Sequence, residues 1–230
     1  MIEFSELEKS LGINFKDKEI LAQSFCHRSY LNENLDFKRG NNERLEFLGD
    51  AVLELIVSHN LFRNHPNKEE GILTSLRAAL VNSKMLCKIA KELNFGDFLL
   101  LSKGEKKEKG KARQEILANT IEAFIGALYV DQGYDICKSF VEKHIMPKLE
   151  MILANEDFID AKSKFQEIAQ AKEKITPRYD LLEEWGPDHN KTFVVGAFLE
   201  DKLISKGNGK SKQEAEEAAA EKGLNLKKWT

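Results

Sequence analysis

Apolar residues recur three and four positions apart through most of the first 150 residues, so this stretch reads as one helix after another. Leu45, Leu48, Val52, Leu55 and Ile56 form one such run, and Leu117, Ile121, Phe124, Ile125 and Leu128 form another. The long polar interruption Ser102–Lys111 is too rich in Lys, Glu and Gly to pack, and reads as a solvated loop. A further helix begins after Tyr134, and LANEDF at 153–158 reads as a short linker. Beyond it the period changes. An amphipathic helix is expected from Asp160, its N-cap, to Lys174. Three alternating runs follow at Arg178–Glu184, Thr192–Leu199 and Leu203–Gly207, separated by turn-rich GPDHN and EDK as antiparallel strands require. A last Ala/Glu-rich helix starts at Ser211, with Glu214 at capping-box spacing. The pattern therefore predicts a mainly α chain: an all-helical domain at 1–152, a linker at 153–158, and a small α+β domain of order α-β-β-β-α at 159–228.

Composition narrows the function classes. An apolar fraction of 42% is enough for two cores without disulfide or metal staples. No uninterrupted apolar stretch approaches the roughly 18 residues of a membrane span, and the first residues lack a secretory n-region and h-region. Cys26, Cys87 and Cys137 are odd in number and far apart, which suits a reducing cytoplasm better than a disulfide framework or a zinc ribbon. Net charge is −3 and neither half is basic, so any nucleic-acid contact must come from local patches.

The acidic residues are patterned. At about 100° per residue, Glu43, Glu46 and Asp50 share one helix face with the leucines opposite, and Glu115, Asn119 and Glu122 share a face of a second helix. Like charges at this spacing repel by a few tenths of a kcal/mol each. Either the stripes are solvated helix faces, or two such helices side by side offer oxygen ligands to a divalent cation, an arrangement suited to phosphodiester hydrolysis. Phe47 projects within about 40° of the first stripe, where an aromatic is either the edge of a core or a partner contact.

Asn42–Ala51 (NERLEFLGDA) closely resembles the ribonuclease III family motif, and LANTIEA at 117–123 resembles that family's second acidic motif. His27-Arg28-Ser29-Tyr30 and Glu70-Gly71 also sit where the family has similar residues, and the resemblance spans essentially the whole chain. It implies a ribonuclease III catalytic and dimerisation domain followed by a double-stranded-RNA-binding domain. Glu43, Asp50 and Glu122 would be metal-site carboxylates, with Asp50 and Glu122 indispensable for chemistry. Glu46 and Glu70 would lie near the site, as neighbours of the ligands or at a second ion. Asn119 stands where the family usually has Asp; it brings an amide oxygen without charge, and is expected to be a weak ligand. Further implications are Mg²⁺, with Mn²⁺ as a substitute, and a homodimer in which Phe47 inserts into the partner. The products would be 5′ phosphate and 3′ hydroxyl ends with a short overhang. Ribosomal RNA precursors and some messenger and transfer RNA precursors would be processed in the cytoplasm.

By the same resemblance, Gln166 and Glu167 would reach one minor groove of duplex RNA, His189 in the Gly186–Asn190 loop the other, and Lys210, Ser211 and Lys212 the phosphates between. The last cluster has physical support of its own, since a helix start beside two lysines attracts phosphate; an ordinary capped surface helix has the same spacing. Gln213 and Glu216 make it less basic than is usual for such domains. Lys103–Lys111 is either an RNA-facing loop or a solvated one. Two other readings stay open on the residues: an RNA-binding regulator with a degenerate catalytic domain, motivated by Asn119, and a helical scaffold with a structural divalent ion.

Overall fold

The structure, a computed structural model, describes residues 4–107, 109–155, 161–187 and 191–229. The chain divides into two compact units, Met1–Phe158 and Ile159–Thr230. Nine helices are described in the first: α1 (Ser5–Leu11), α2 (Lys18–Ser24), α3 (Arg28–Leu31), α4 (Glu43–Asn64), α5 (Glu70–Val81), α6 (Ser83–Glu92), α7 (Lys111–Gln132), α8 (Tyr134–His144) and α9 (Lys148–Asn155).

The first unit is built around α7. Gly110 and Gly133 bracket it at φ 75° and 83°, conformations that let the chain enter and leave the helix abruptly. From Ile116 to Leu128 nearly every side chain is buried, so α7 is apolar around its circumference, as a central helix must be. Phe124 anchors it, with ring centroids 5.1–5.5 Å from Phe140, Phe95 and Phe15. Burying a side chain of this size contributes about 1.5–3 kcal/mol.

Helix α4 lies directly against α7. A Cβ at Gly49 would overlap the Glu122 carbonyl, and one at Gly126 would overlap the carbonyl of Leu45. Only hydrogen at these positions lets the two backbones touch. The start of α4 is fixed from below: Asn42 is buried, its N–H donates to the Cys26 carbonyl at 2.9 Å, and its side-chain amide donates to the Ser24 carbonyl at 3.4 Å. The end of α4 comes at His65, just before Pro66.

Two expectations need correcting, and a third, the solvated loop, holds with an addition. Leu55, expected in the apolar run, is 58% exposed, because α4 packs through Leu45, Val52, Leu53, Ile56 and Val57 and turns Leu55 outward. The chain after Tyr134 forms two helices broken at Pro147, and the second continues to Asn155, into the stretch expected to be linker. Within Ser102–Lys111 there is a 3₁₀ turn at Glu105–Lys107, and the loop is tethered. The Ser102 N–H donates to Ser29 Oγ at 3.2 Å and the Lys103 N–H to the Glu33 carboxylate at 3.2 Å.

The second unit comprises α10 (Ala161–Glu173), β1 (Arg178–Trp185), β2 (Thr192–Leu199), β3 (Lys202–Gly209) and α11 (Lys212–Lys227). The strands form an antiparallel sheet in the order β1-β2-β3. Phe165 and Ala169 of α10, Ala197 and Leu199 of β2, and Ala219, Ala220 and Leu224 of α11 share one core with Trp229. The alanines of α11 have a purpose beyond propensity. A Cβ at Gly207 would overlap Ala215 and Ala219 backbone atoms, so β3 and α11 meet at minimum separation. Ser211 caps α11 by accepting from the Glu214 N–H at 3.1 Å, while the Glu214 carboxylate accepts from the Lys210 N–H at 2.6 Å. The reciprocal bond thus lands one residue earlier than a strict capping box would place it. Asp160, the expected cap of α10, lies outside the described residues.

Gly126→Ala should lower stability in thermal and urea unfolding by about 3 kcal/mol or more, because its methyl meets backbone that has no room to yield. Gly71→Ala, where nothing lies within 4 Å, should leave stability unchanged or raise it by up to about 1 kcal/mol. Equal melting temperatures for both variants would contradict the packing described.

Candidate active site

The Gly49–Gly126 contact sets the geometry of the acidic residues. With the two backbones touching there, side chains one turn away on either helix face the same seam. On α4, Glu46 is half-buried and Glu43 and Asp50 are exposed; on α7, Asn119 and Glu122 are half-buried. Asn119 hydrogen-bonds to the Glu46 side chain, so the two stripes meet.

Their electrostatics show how closely. Burial pushes the Glu122 carboxyl up to about 8, and Asp50, Glu46 and Glu54 push in the same direction. Glu46 is raised chiefly by burial; the Asn119 hydrogen bond pulls it down, and Glu43 and Asp50 push it up. Carboxylates from both helices therefore repel one another across the seam, with the strongest effect at the most buried. In that state they do not form a closed cage: among the described residues no three His, Cys, Asp or Glu side chains are gathered at metal-holding spacing.

Glu70 stands apart. It is exposed in the first turn of α5, and its carboxylate accepts from the Thr74 hydroxyl at 3.1 Å on its own helix. Glu54 was missed from the sequence, although it continues the Glu43, Glu46, Asp50 stripe one turn further. Phe47 is 82% exposed, which excludes the core-edge reading; Leu55 and Phe62, at 58% and 72%, extend the same outward stripe of α4.

A cavity of about 730 Å³ adjoins the acidic seam. Glu43 and Glu46 line it from α4, Glu115 and Asn119 from α7, and His27, Arg28, Ser29 and Asn32 from around α3, with Glu105 from the tethered loop. These last residues were given no functional role from sequence, because the spacing of α3 carries no periodic signal.

In the second unit, Gln166 and Glu167 are exposed on α10, and Lys210, Ser211 and Lys212 are exposed at the start of α11. Lys210 Nζ donates to Thr192 Oγ1 at 3.3 Å, so this lysine leans over the end of β2. His189 lies outside the described residues.

A family model described as "Ribonuclease-III-like" matches residues 17–149, and one described as "Double-stranded RNA binding motif" matches 161–227. The chain belongs to the ribonuclease III family. A curated ribonuclease 3 from Oceanobacillus iheyensis is 46% identical over 95% of this chain and 95% of its own length. One from Borreliella burgdorferi is 44% identical over 96% and 90%. Among solved structures, the nuclease domain of ribonuclease III from Campylobacter jejuni is 43% identical, with a TM-score of 0.58, covering 63% of this chain and 97% of that one. The ribonuclease III domain of this chain carries the helical unit and the acidic seam, and the RNA-binding motif carries the α-β-β-β-α unit. Membership makes the protein an endoribonuclease of double-stranded RNA, in a family whose chemistry depends on metal.

The raised Glu122 carboxyl has a consequence for stability. Its folded value of about 8 lies above the ordinary 4.5, so the folded state favours the protonated form. That preference is fully present below about 4.5 and is lost as pH rises through about 8. In EDTA, wild-type protein should therefore lose melting temperature between pH 5 and 8.5 relative to Glu122→Gln, and a divalent cation should restore the difference. Parallel melting curves for the two proteins across that range would contradict the burial and repulsion assigned to Glu122.

Proposed function

We propose that the protein cleaves double-stranded RNA by Mg²⁺-dependent hydrolysis, with Mn²⁺ able to substitute, at the seam between α4 and α7. The observation that carries this reading is the Gly49–Gly126 backbone contact, which brings the acidic stripes of α4 and α7 to one seam, where burial and the α4 carboxylates push Glu122 up to about 8. Half-buried among further carboxylates, Glu122 favours its protonated form, and a cation at the seam would make the anionic form favourable. The donor set fits: Glu43, Asp50 and Glu122 offer carboxylate oxygens and Asn119 an amide oxygen, all hard ligands of the kind Mg²⁺ takes. Glu46 lies beside them, oriented by its hydrogen bond with Asn119. Glu70, bonded within its own helix, belongs to this set only as a more distant acidic neighbour or at a second ion.

A divalent ion bound there supplies the positive charge needed by the attacking water and by the phosphodiester oxygens. The chain's own share is positional. Asp50 and Glu122 orient the site from opposite helices, and the close backbone contact fixes their separation. Water adds to phosphorus as the bond to the 3′ oxygen breaks, leaving a 3′ hydroxyl on one product and a 5′ phosphate on the other. Asn119 lowers the negative charge of the site by one relative to the usual family Asp, which weakens attraction for the ion without removing the three anionic donors.

The protein acts as a homodimer, each subunit cutting one strand. Support comes from the outward stripe Phe47, Leu55, Phe62 on α4, an apolar face of the kind that subunit contacts cover. The second unit holds the duplex through Gln166, Glu167, Lys210, Ser211 and Lys212, with His189 as a further contact; the exposure of the first five on α10 and at the α11 start supports this. Ribosomal RNA precursors and some messenger and transfer RNA precursors are the proposed substrates. A reducing, cytoplasmic setting suits three buried free cysteines, and no helix among the described residues is long and apolar enough to cross a membrane. The domain limits proposed are 1–152 and 159–228.

On a long RNA duplex with Mg²⁺, wild type should cut and EDTA should stop it. Asp50→Asn and Glu122→Gln should each lose at least about a thousandfold in rate while still shifting the duplex in a gel. Asn119→Asp should cut at lower Mg²⁺ concentration than wild type. Cleavage that survives in EDTA, or in either carboxylate variant, would overturn the reading. Phe47→Glu should shift sedimentation from dimer toward monomer; an unchanged dimer would remove Phe47 from the interface.

A further inference from the structure

The acidic seam explains how a cation is held but not how a polyanion is brought beside five carboxylates. The cavity of about 730 Å³ next to it has a wall of different chemistry. Arg28 is the one basic side chain among its lining residues, and His27, Ser29 and Asn32 stand beside it, facing Glu43, Glu46 and Asn119. Arg28 is 75% exposed and meets Glu43 only at 3.9 Å. An exposed pair that long contributes little, so a phosphate can displace the carboxylate.

His27 is held more firmly. Its Nδ1 accepts from the Ser29 N–H at 3.3 Å and lies 2.9 Å from Ser29 Oγ. That hydroxyl already accepts from the Ser102 N–H, so its own proton is available for Nδ1. With Nδ1 accepting from the Ser29 N–H, the neutral ring carries its proton on Nε2. Among the described residues no protein acceptor is found for Nε2, and the ring lines the cavity. Burial favours the neutral ring. The wall thus presents a guanidinium, a neutral N–H donor and an amide at the mouth of the acidic seam. This is a donor set for the oxygens of a sugar-phosphate unit, and the tether through Ser29 and Ser102 keeps it in place.

We infer that His27, Arg28 and Asn32 form a subsite for the ribose-phosphate unit adjoining the scissile bond, with Arg28 on its phosphate and His27 Nε2 donating to its sugar 2′-oxygen. The inference rests on the cleavage site proposed above. Arg28 and His27 act as substrate-holding residues; they take no part in bond breaking. A 2′-oxygen contact also lets the catalytic unit distinguish RNA from DNA locally.

The test uses full-length protein and an RNA duplex in which a single methylphosphonate, which removes one phosphate charge, is moved nucleotide by nucleotide across the cut. Affinity is read with Ca²⁺ in place of Mg²⁺, and cleavage with Mg²⁺. Wild type should lose at least about tenfold in affinity at one position flanking the cut. Arg28→Gln should lose the same on unmodified duplex, lose nothing further at that position, and show a salt slope shallower by roughly one. Arg28→Lys should retain part of the affinity. His27→Asn, which keeps an acceptor for the Ser29 N–H, should likewise be insensitive to a single 2′-deoxy substitution there that weakens wild type. Equal fractional losses in wild type and both variants at every position would overturn the subsite. A wild type that binds with the expected pattern but leaves unmodified duplex uncut in Mg²⁺ would instead sink the cleavage reading and leave the subsite standing.

Discussion

Gly49 and Gly126 set how closely the two carboxylate-bearing helices approach, and everything proposed for the site follows from that distance. With any side chain at either position, the Glu122 or the Leu45 carbonyl would be displaced and the helices would part. Separation would relieve the burial and, with it, the repulsion that lift Glu122, and would carry Asp50 and Glu122 apart. The same contact goes with an α7 that is apolar along 116–128 except at Asn119, Thr120 and Glu122. A helix pressed so tightly against its neighbour, with Phe124 inside a cluster of aromatic rings, is solvated only at its two ends and half-exposed only at Asn119 and Glu122 between them.

The acidic seam is a local violation of folding rules, and its position in the molecule makes it tolerable. Elsewhere the chain places opposite charges together, as in Lys18 with Glu8 and Arg39 with Asp17 and Glu19. At the seam it places like charges together and half-buries two of them, Glu46 and Glu122. The stabilisation that α7 gains from its core offsets this, so the repulsion persists where the proposed cation would relieve it. Asn119 is uncharged and adds nothing to that repulsion, and its hydrogen bond to Glu46 gives the carboxylate an ordered neighbour across the seam.

Much of this was legible in the sequence, for identifiable reasons. Helical periodicity brought Glu43, Glu46 and Asp50 onto one face and Asn119 and Glu122 onto another, and the two faces do meet. The period-two runs placed β2 at its observed limits and β1 and β3 within a residue or two. Periodicity marks a face but says nothing of what covers it, which is why Leu55 was assigned inward and lies outside. It also says nothing of contacts between segments distant in sequence. Ser102–Lys111 has the composition of a free loop, yet Ser29 and Glu33, some seventy residues earlier, hold it. His27-Arg28-Ser29-Tyr30 was marked by resemblance alone; four residues of helix carry no repeat, so periodicity gave no sign that they wall a cavity beside the seam. Glu54 could have been found by extending the acidic stripe one more turn.

The central claim is that one divalent ion is shared by carboxylates on α4 and α7. It is tested most directly by titrating Mn²⁺ into metal-free protein in a calorimeter, for wild type, Asp50→Asn, Glu122→Gln and the double variant. If the ion is shared, either single change removes most of the binding and the double variant binds no more weakly than the weaker single, so the two losses do not add. Losses that add, with each variant keeping a site of its own, would mean that the two helices do not hold a common ion.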